Sequence, residues 1–85
     1  MSTYDFNADW VNWEQHPAGE EVVLLVSGAM EFILETNDGE RNIALTQPGQ
    51  FLLVPRGTWH TANVAESAKA LFITPGEGTS HRPRS

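Results

Sequence analysis

Apolar and polar positions alternate along most of this chain with the period of a β-strand. Glu21-Val-Val-Leu-Leu-Val-Ser27 is a β-branched and aliphatic run closed by Gly28, and it reads as a buried strand. Ala29 to Glu35 then alternates strictly, with Met30, Phe32 and Leu34 on one side and Glu31, Ile33 and Glu35 on the other. Thr36-Asn37-Asp38-Gly39 follows, and its Asp-Gly pair supplies the positive-φ chemistry of a hairpin turn. Arg41 to Leu45 is the return strand, with Ile43 and Leu45 on one face. After the turn signal Gln47-Pro48-Gly49, Phe51 to Val54 is a further apolar strand, ended by Pro55-Arg56-Gly57. Thr58 to Val64 alternates again, with Trp59 and Thr61 on one face and Thr58, His60 and Ala62 on the other. Ala68 to Thr74 is the last clear strand, and Pro75-Gly76-Glu77-Gly78 ends it. The tail from Thr79 to Ser85 is polar and basic, an ordered extension or a frayed end. No window carries an apolar stripe at helical spacing.

Six short strands at intervals of roughly ten residues predict an all-β sandwich or barrel. An immunoglobulin-like sandwich fits the same periodicity. The polar chemistry, however, gathers at two points beside Gly/Pro turns, which favours a barrel with a mouth. Neither an internal repeat nor a linker divides the sequence, so residues 1–85 form one domain, with its core over about 10–75 and a tail at 76–85. A chain this short buries only about 60–65% of the surface its unfolded form exposes. With no cysteine, no disulfide or thiolate site reinforces it. Stability must then come from dense packing, a bound metal or a second copy.

Charge narrows the choice of partners. Eleven acids against five bases give −6, and Arg82 and Arg84 lie in the tail, so no basic face for nucleic acid is visible. No stretch of about eighteen apolar residues exists to span a membrane. The acidic N-terminal stretch has no apolar segment of the secretory kind, so cytoplasmic residence is the expectation.

Two clusters carry the candidate chemistry. In Trp13-Glu14-Gln15-His16-Pro17-Ala18-Gly19-Glu20-Glu21, extended backbone projects Glu14 and His16 to the same side. Glu21 sits at the entrance of an apolar run, a costly position for a carboxylate unless it is paired, hydrogen-bonded or ligating. In Pro55-Arg56-Gly57-Thr58-Trp59-His60 a Pro-x-Gly turn delivers His60 to the start of a strand. Two histidines with one or two carboxylates form a workable ligand set for Fe(II), Mn(II), Ni(II), Co(II) or Zn(II). The plainer alternative is a hydrogen-bonded structural His60 and a solvated acidic pair at Glu20 and Glu21. Arg56 could pair with a ligand carboxylate, Trp59 could wall an apolar ligand, and His81 reads as surface or interface, although the basic tail could fold back onto the acidic body.

At these clusters the sequence resembles the cupin superfamily. The first cupin motif, G-x5-H-x-H-x(3,4)-E-x6-G, is matched in its second half by His16, Glu21 and Gly28. The second, G-x5-P-x-G-x2-H-x3-N, is matched by Gly49, Pro55, Gly57 and His60. Three departures stand out: Glu14 occupies the place of the first motif's first histidine, the upstream glycine is absent, and Asn63 arrives one residue early. The resemblance implies a small cupin-type antiparallel β-barrel, a double-stranded β-helix or jelly roll, with a pocket open at one end. It also implies a homodimer, and a metal held by His16, Glu21, His60 and, at the altered position, Glu14. The expected function is a divalent-metal pocket for a small polar ligand, although cupins that lose ligands often lose the metal. The alternative is a metal-free, sugar-like or amine-binding sensory module, in which one of two adjacent carboxylates holds a proton near neutral pH. The sequence does not decide whether the domain is an enzyme.

Overall fold

A computed structural model describes all 85 residues. Its strands are β1 (Ser2–Phe6), β2 (Asn12–Gln15), β3 (Glu21–Gly28), β4 (Met30–Thr36), β5 (Gly39–Leu45), β6 (Phe51–Val54), β7 (His60–Asn63), β8 (Ala68–Ile73) and β9 (Ser80–Pro83). They form a four-stranded sheet ordered β1-β8-β3-β6 and a five-stranded sheet ordered β5-β4-β7-β2-β9. The antiparallel pairs β1–β8, β2–β7, β3–β6 and β4–β5 all occur. That nesting describes a long hairpin, four strands out and four back, wound so that alternate pairs fall in opposite sheets. It is the jelly-roll connection, and it excludes the immunoglobulin alternative. No ladder joins the two sheets, so the barrel is a pair of facing sheets rather than a closed cylinder. No helix is long and apolar enough to cross a membrane.

The alternation explains the core. Inward residues of both sheets pack into one cluster, among them Val23 and Leu25 of β3, Phe32 and Leu34 of β4, Val54 of β6, Ala62 of β7 and Phe72 of β8. Met30, Phe32 and Leu34 share the buried face of β4, as the periodicity predicts, and the hairpin to β5 pairs Thr36 with Gly39. Gly28 ends β3 at φ +76°, where a Cβ would lie 2.2 Å from the Ser67 carbonyl oxygen. Only glycine fits that crossing.

The sequence reading has Glu14 to His16 as an extended segment without naming β2 a strand, and three other strands also differ from it. β1 and β9 are not apparent in the periodicity, and Ala68–Ile73 is not the last strand, because β9 returns to pair with β2. Both are polar segments at sheet edges, where the ladder is made by a neighbour's backbone rather than by an apolar face. β7 is shorter than the alternating run from Thr58, because the turn Pro55–Thr58, closed by Thr58 N–H donating to the Pro55 carbonyl at 3.1 Å, takes up its start.

Candidate metal centre

The jelly-roll winding brings the two sequence clusters together at one end of the sheets. Glu14 in β2 lies directly opposite His60 in β7. His16 follows the end of β2, and its carbonyl accepts the Gly57 N–H at 2.9 Å, tying the first cluster to the Pro-Arg-Gly turn of the second. Gly57 takes φ +72° there, which places this N–H and turns the chain into β7. Glu21 opens β3 with its side chain directed inward, at 1% exposure, and His60 is wholly buried.

Four side chains converge: Glu14, His16, Glu21 and His60 each offer a ligand atom, all within 4.8 Å of one another. His16 Nε2 lies 3.2 Å from Glu21 Oε2 and 3.5 Å from Glu14 Oε1. His60 Nε2 lies 3.1 Å from Glu21 Oε1 and 3.6 Å from Glu14 Oε1. Their outer contacts settle the orientation of both rings. His60 Nδ1 is 3.0 Å from the Thr58 carbonyl, which can only accept, so Nδ1 carries the proton. The Thr79 hydroxyl donates to the Gly76 carbonyl and so accepts from His16 Nδ1, at 2.8 Å. In the neutral rings both Nε2 lone pairs therefore face the cluster. Thr74 Oγ1 donates to Glu21 Oε2, fixing that carboxylate as well.

Three atoms at the centre, His16 Nε2, His60 Nε2 and Glu21 Oε1, are buried without a well-formed hydrogen bond. Buried polar atoms are costly to leave unpaired. This donor set fits a divalent transition ion, for which imidazole nitrogen and carboxylate oxygen are suitable donors.

Without an ion, His60 and Glu14 shift each other's charge state. Desolvation pulls the His60 pKa down, but the close carboxylates of Glu14 and Glu21 and the hydrogen bond to the Thr58 carbonyl outweigh it and raise the value to about 9. Burial likewise pushes Glu14 upward, yet the facing His60 ring and the charges of His60, His16 and His81 hold it below the usual carboxylate range. For Glu14 this runs against the expectation that a carboxylate holds the proton in a metal-free pocket. An imidazole stands close to each carboxylate, and His60 takes the proton instead.

Above the cluster opens a cavity of about 650 Å³, walled by Tyr4, Phe6, Trp10 and Phe72 and reaching Glu14, His16 and Glu21. Arg56 and Trp59, the proposed ligand contacts, do not line it. Arg56 is exposed in the turn before β7. Trp59 precedes the inward-facing His60, and alternation turns its ring outward, where the Arg82 guanidinium lies 4.6 Å from the ring centroid. His81, read as surface or interface, is more than half exposed and also lines the cavity. It lies opposite Glu14 in the β2–β9 ladder, with Nε2 3.4 Å from Glu14 Oε2. Nothing in the sequence marks Thr74 and Thr79 as contacts of the site. For His81 the available signal was the basic tail in an acidic chain.

The sequence matches no protein-family model. None of the curated proteins matches it either. Solved structures do match in fold. A cupin-2 domain protein from Shewanella frigidimarina superposes with TM-score 0.69 at 22% identity, over 96% of this chain and 67% of that one. A cupin superfamily protein from Desulfitobacterium hafniense gives 0.70 at 21% identity, over 88% of this chain and 64% of that one. An oxalate oxidase gives 0.71 at 18% identity, over 91% of this chain but only 42% of its own length. The chain therefore has the cupin fold.

Proposed function

We propose that this chain is a small metal-binding cupin domain. One divalent transition ion is held by His16, Glu21, His60 and Glu14 at the floor of a cavity that admits a small polar ligand. The observation that carries this reading is the convergence of three buried, poorly paired polar atoms on one point, with both histidines' Nδ1 atoms committed elsewhere. Fe(II), Mn(II), Ni(II), Co(II) and Zn(II) all accept such donors, and two carboxylates offset a dication's charge. When bound, the ion supplies Lewis acidity and open coordination positions. The chain's own residues do the rest. Thr79 and the Thr58 carbonyl orient the imidazoles, Thr74 pins Glu21, and Phe6, Trp10 and Phe72 limit water around the site. Whether a reaction follows is not carried by the fold, which hosts unrelated activities.

A second reading, a metal-free binding module, is favoured by the raised pKa of His60, since a protonated imidazole offsets part of the carboxylates' charge without an ion. Chelation separates the two. Protein purified without affinity-tag metals is expected to carry about one transition ion per chain and to melt several degrees lower in EDTA, because an ion bound only to the native state stabilises it by mass action. The His60→Ala variant is expected to lose both properties. Substoichiometric metal unchanged in His60→Ala, with melting indifferent to EDTA, supports the metal-free module instead.

The partner we propose is a second copy of the chain. On the outer face of the four-stranded sheet, Leu53, Val22 and Ile73 lie in one cross-strand row and Phe51, Leu24 and Leu71 in the next. Phe51 is 63% exposed, and Leu53 and Ile73 nearly half exposed. A contiguous apolar sheet face of this kind marks an interaction surface rather than a solvated one.

A further inference from the structure

The C-terminal segment has the composition of a solvated tail, yet it is fixed at three places. Arg82 lies over the rings of Trp13 and Trp59, its guanidinium carbon 5.3 and 4.6 Å from their centroids, and it pairs with Glu35. Arg84 donates to the Trp10 and Ala62 carbonyls and to Asn63 Oδ1, at 2.8, 3.2 and 2.8 Å. Between and before these anchors, β9 pairs with β2 in register, so that His81 stands opposite Glu14. Arg82 is directed outward to the tryptophans, and alternation directs His81 to the other face, into the cavity.

Glu14 is thereby flanked by two imidazoles in one row across three strands, His60 from β7 on one side and His81 from β9 on the other. Its two oxygens divide the work. Oε1 faces His16 and His60, while Oε2 faces His81 at 3.4 Å. His81 is more than half exposed and is not one of the four residues whose ligand atoms converge. Glu14 is also the residue that departs from the cupin motif. A glutamate there has one more rotatable bond than a histidine, so an outside contact is needed to keep one oxygen on the centre.

We propose that His81 is a positioning residue of the metal centre. By holding the outer oxygen of Glu14 it keeps the inner oxygen turned toward His16, Glu21 and His60, and so makes β9 part of the site. This inference rests on the metal-binding reading. His81 acts through Glu14 and does not itself ligate the ion.

The test is a double-mutant cycle on Co(II) affinity and the visible Co(II) spectrum, using the full chain. His81→Ala is expected to weaken Co(II) binding by about 10–100-fold, the usual effect of losing a residue that orients a ligand. His81→Gln, whose amide can still donate to the carboxylate, is expected to recover most of that loss. In a Glu14→Ala background, removing His81 is expected to cost nothing further and to leave the spectrum unchanged. Circular dichroism and melting of the metal-free variants serve as the folding control, and near-wild-type values are expected. Three results would overturn the proposal: wild-type affinity in His81→Ala, equal losses in the Gln and Ala variants, or additive losses in the double variant. Failure of the wild-type chain to bind Co(II) would overturn the metal reading itself.

Discussion

His60 is the side chain on which the electrostatics of the centre turn. Its ring is buried against two carboxylates, and its pKa stands at about 9 against an ordinary 6.5. A raised value in the folded state means that the proton stabilises the metal-free protein fully below pH 6.5, and that this contribution is lost as pH rises through about 9. Chelator-treated protein is therefore expected to lose melting temperature across that window, and His60→Gln to lose the slope, both readable by thermal melts at a series of pH values. The same proton competes with metal. Affinity is expected to rise with pH until His60 is neutral, about tenfold per pH unit while a single proton is displaced. A pH-independent affinity between 6.5 and 9 would contradict the raised pKa. Elsewhere the residue scale is ruled by packing. Phe32 is fully buried, and Phe32→Ala is expected to cost about 3–5 kcal/mol in urea unfolding, a large share of a small domain's stability.

At the scale of elements, what was legible in the sequence follows from which strands show the core an apolar face. β3 does so within a continuous aliphatic run and β4 with Met30, Phe32 and Leu34 at every second position, and they were readable nearly to the residue. β1, with the sequence STYDF, and β9, with SHRP, lie at the ends of their sheets and are held by the backbones of β8 and β2. Such pairing leaves no period in side-chain polarity. The four converging residues were legible through the resemblance to the cupin motifs around the turns Pro17 to Gly19 and Pro55 to Gly57, since the spacing by itself left a structural His60 and a solvated Glu20 and Glu21 equally open. His81 was not, because its place depends on the register of a strand that the periodicity does not reveal. The misplacing of Trp59 has the same kind of origin: proximity to His60 in sequence puts it on the opposite face of the strand. Two predictions belong here. Gly28→Ala, at φ +76° and against the Ser67 carbonyl, is expected to destabilise clearly more than Gly39→Ala, whose added Cβ meets nothing within 4 Å. Equal urea midpoints would contradict that crossing. Arg82→Ala is expected to cost about 1 kcal/mol, and to speed amide exchange in β9 ahead of the other strands.

As a whole molecule, the domain is a minimal jelly roll with one polar end and one apolar outer face. With 85 residues and no cysteine it relies on a core of 13 packed apolar side chains, and its stability is modest. Covering the rows of Leu53, Val22, Ile73 and Phe51, Leu24, Leu71 with a second copy would remove apolar surface from water without touching the centre. Sedimentation is expected to give a dimer that Phe51→Glu with Leu53→Lys converts to a monomer still able to bind metal. A monomeric wild-type chain at tens of micromolar, or a dimer unmoved by those substitutions, would contradict it.

The convergence of two imidazoles and two carboxylates into a metal centre is most directly tested by calorimetric titration of Zn(II) into chelator-stripped protein near pH 7.5, in two buffers of different ionisation enthalpy. Saturable binding of about one ion per chain is expected, with release of close to one proton, the one His60 must surrender, and both are expected to vanish in His60→Ala. Heats that do not saturate, or binding and proton release that survive the loss of His60, would contradict the account.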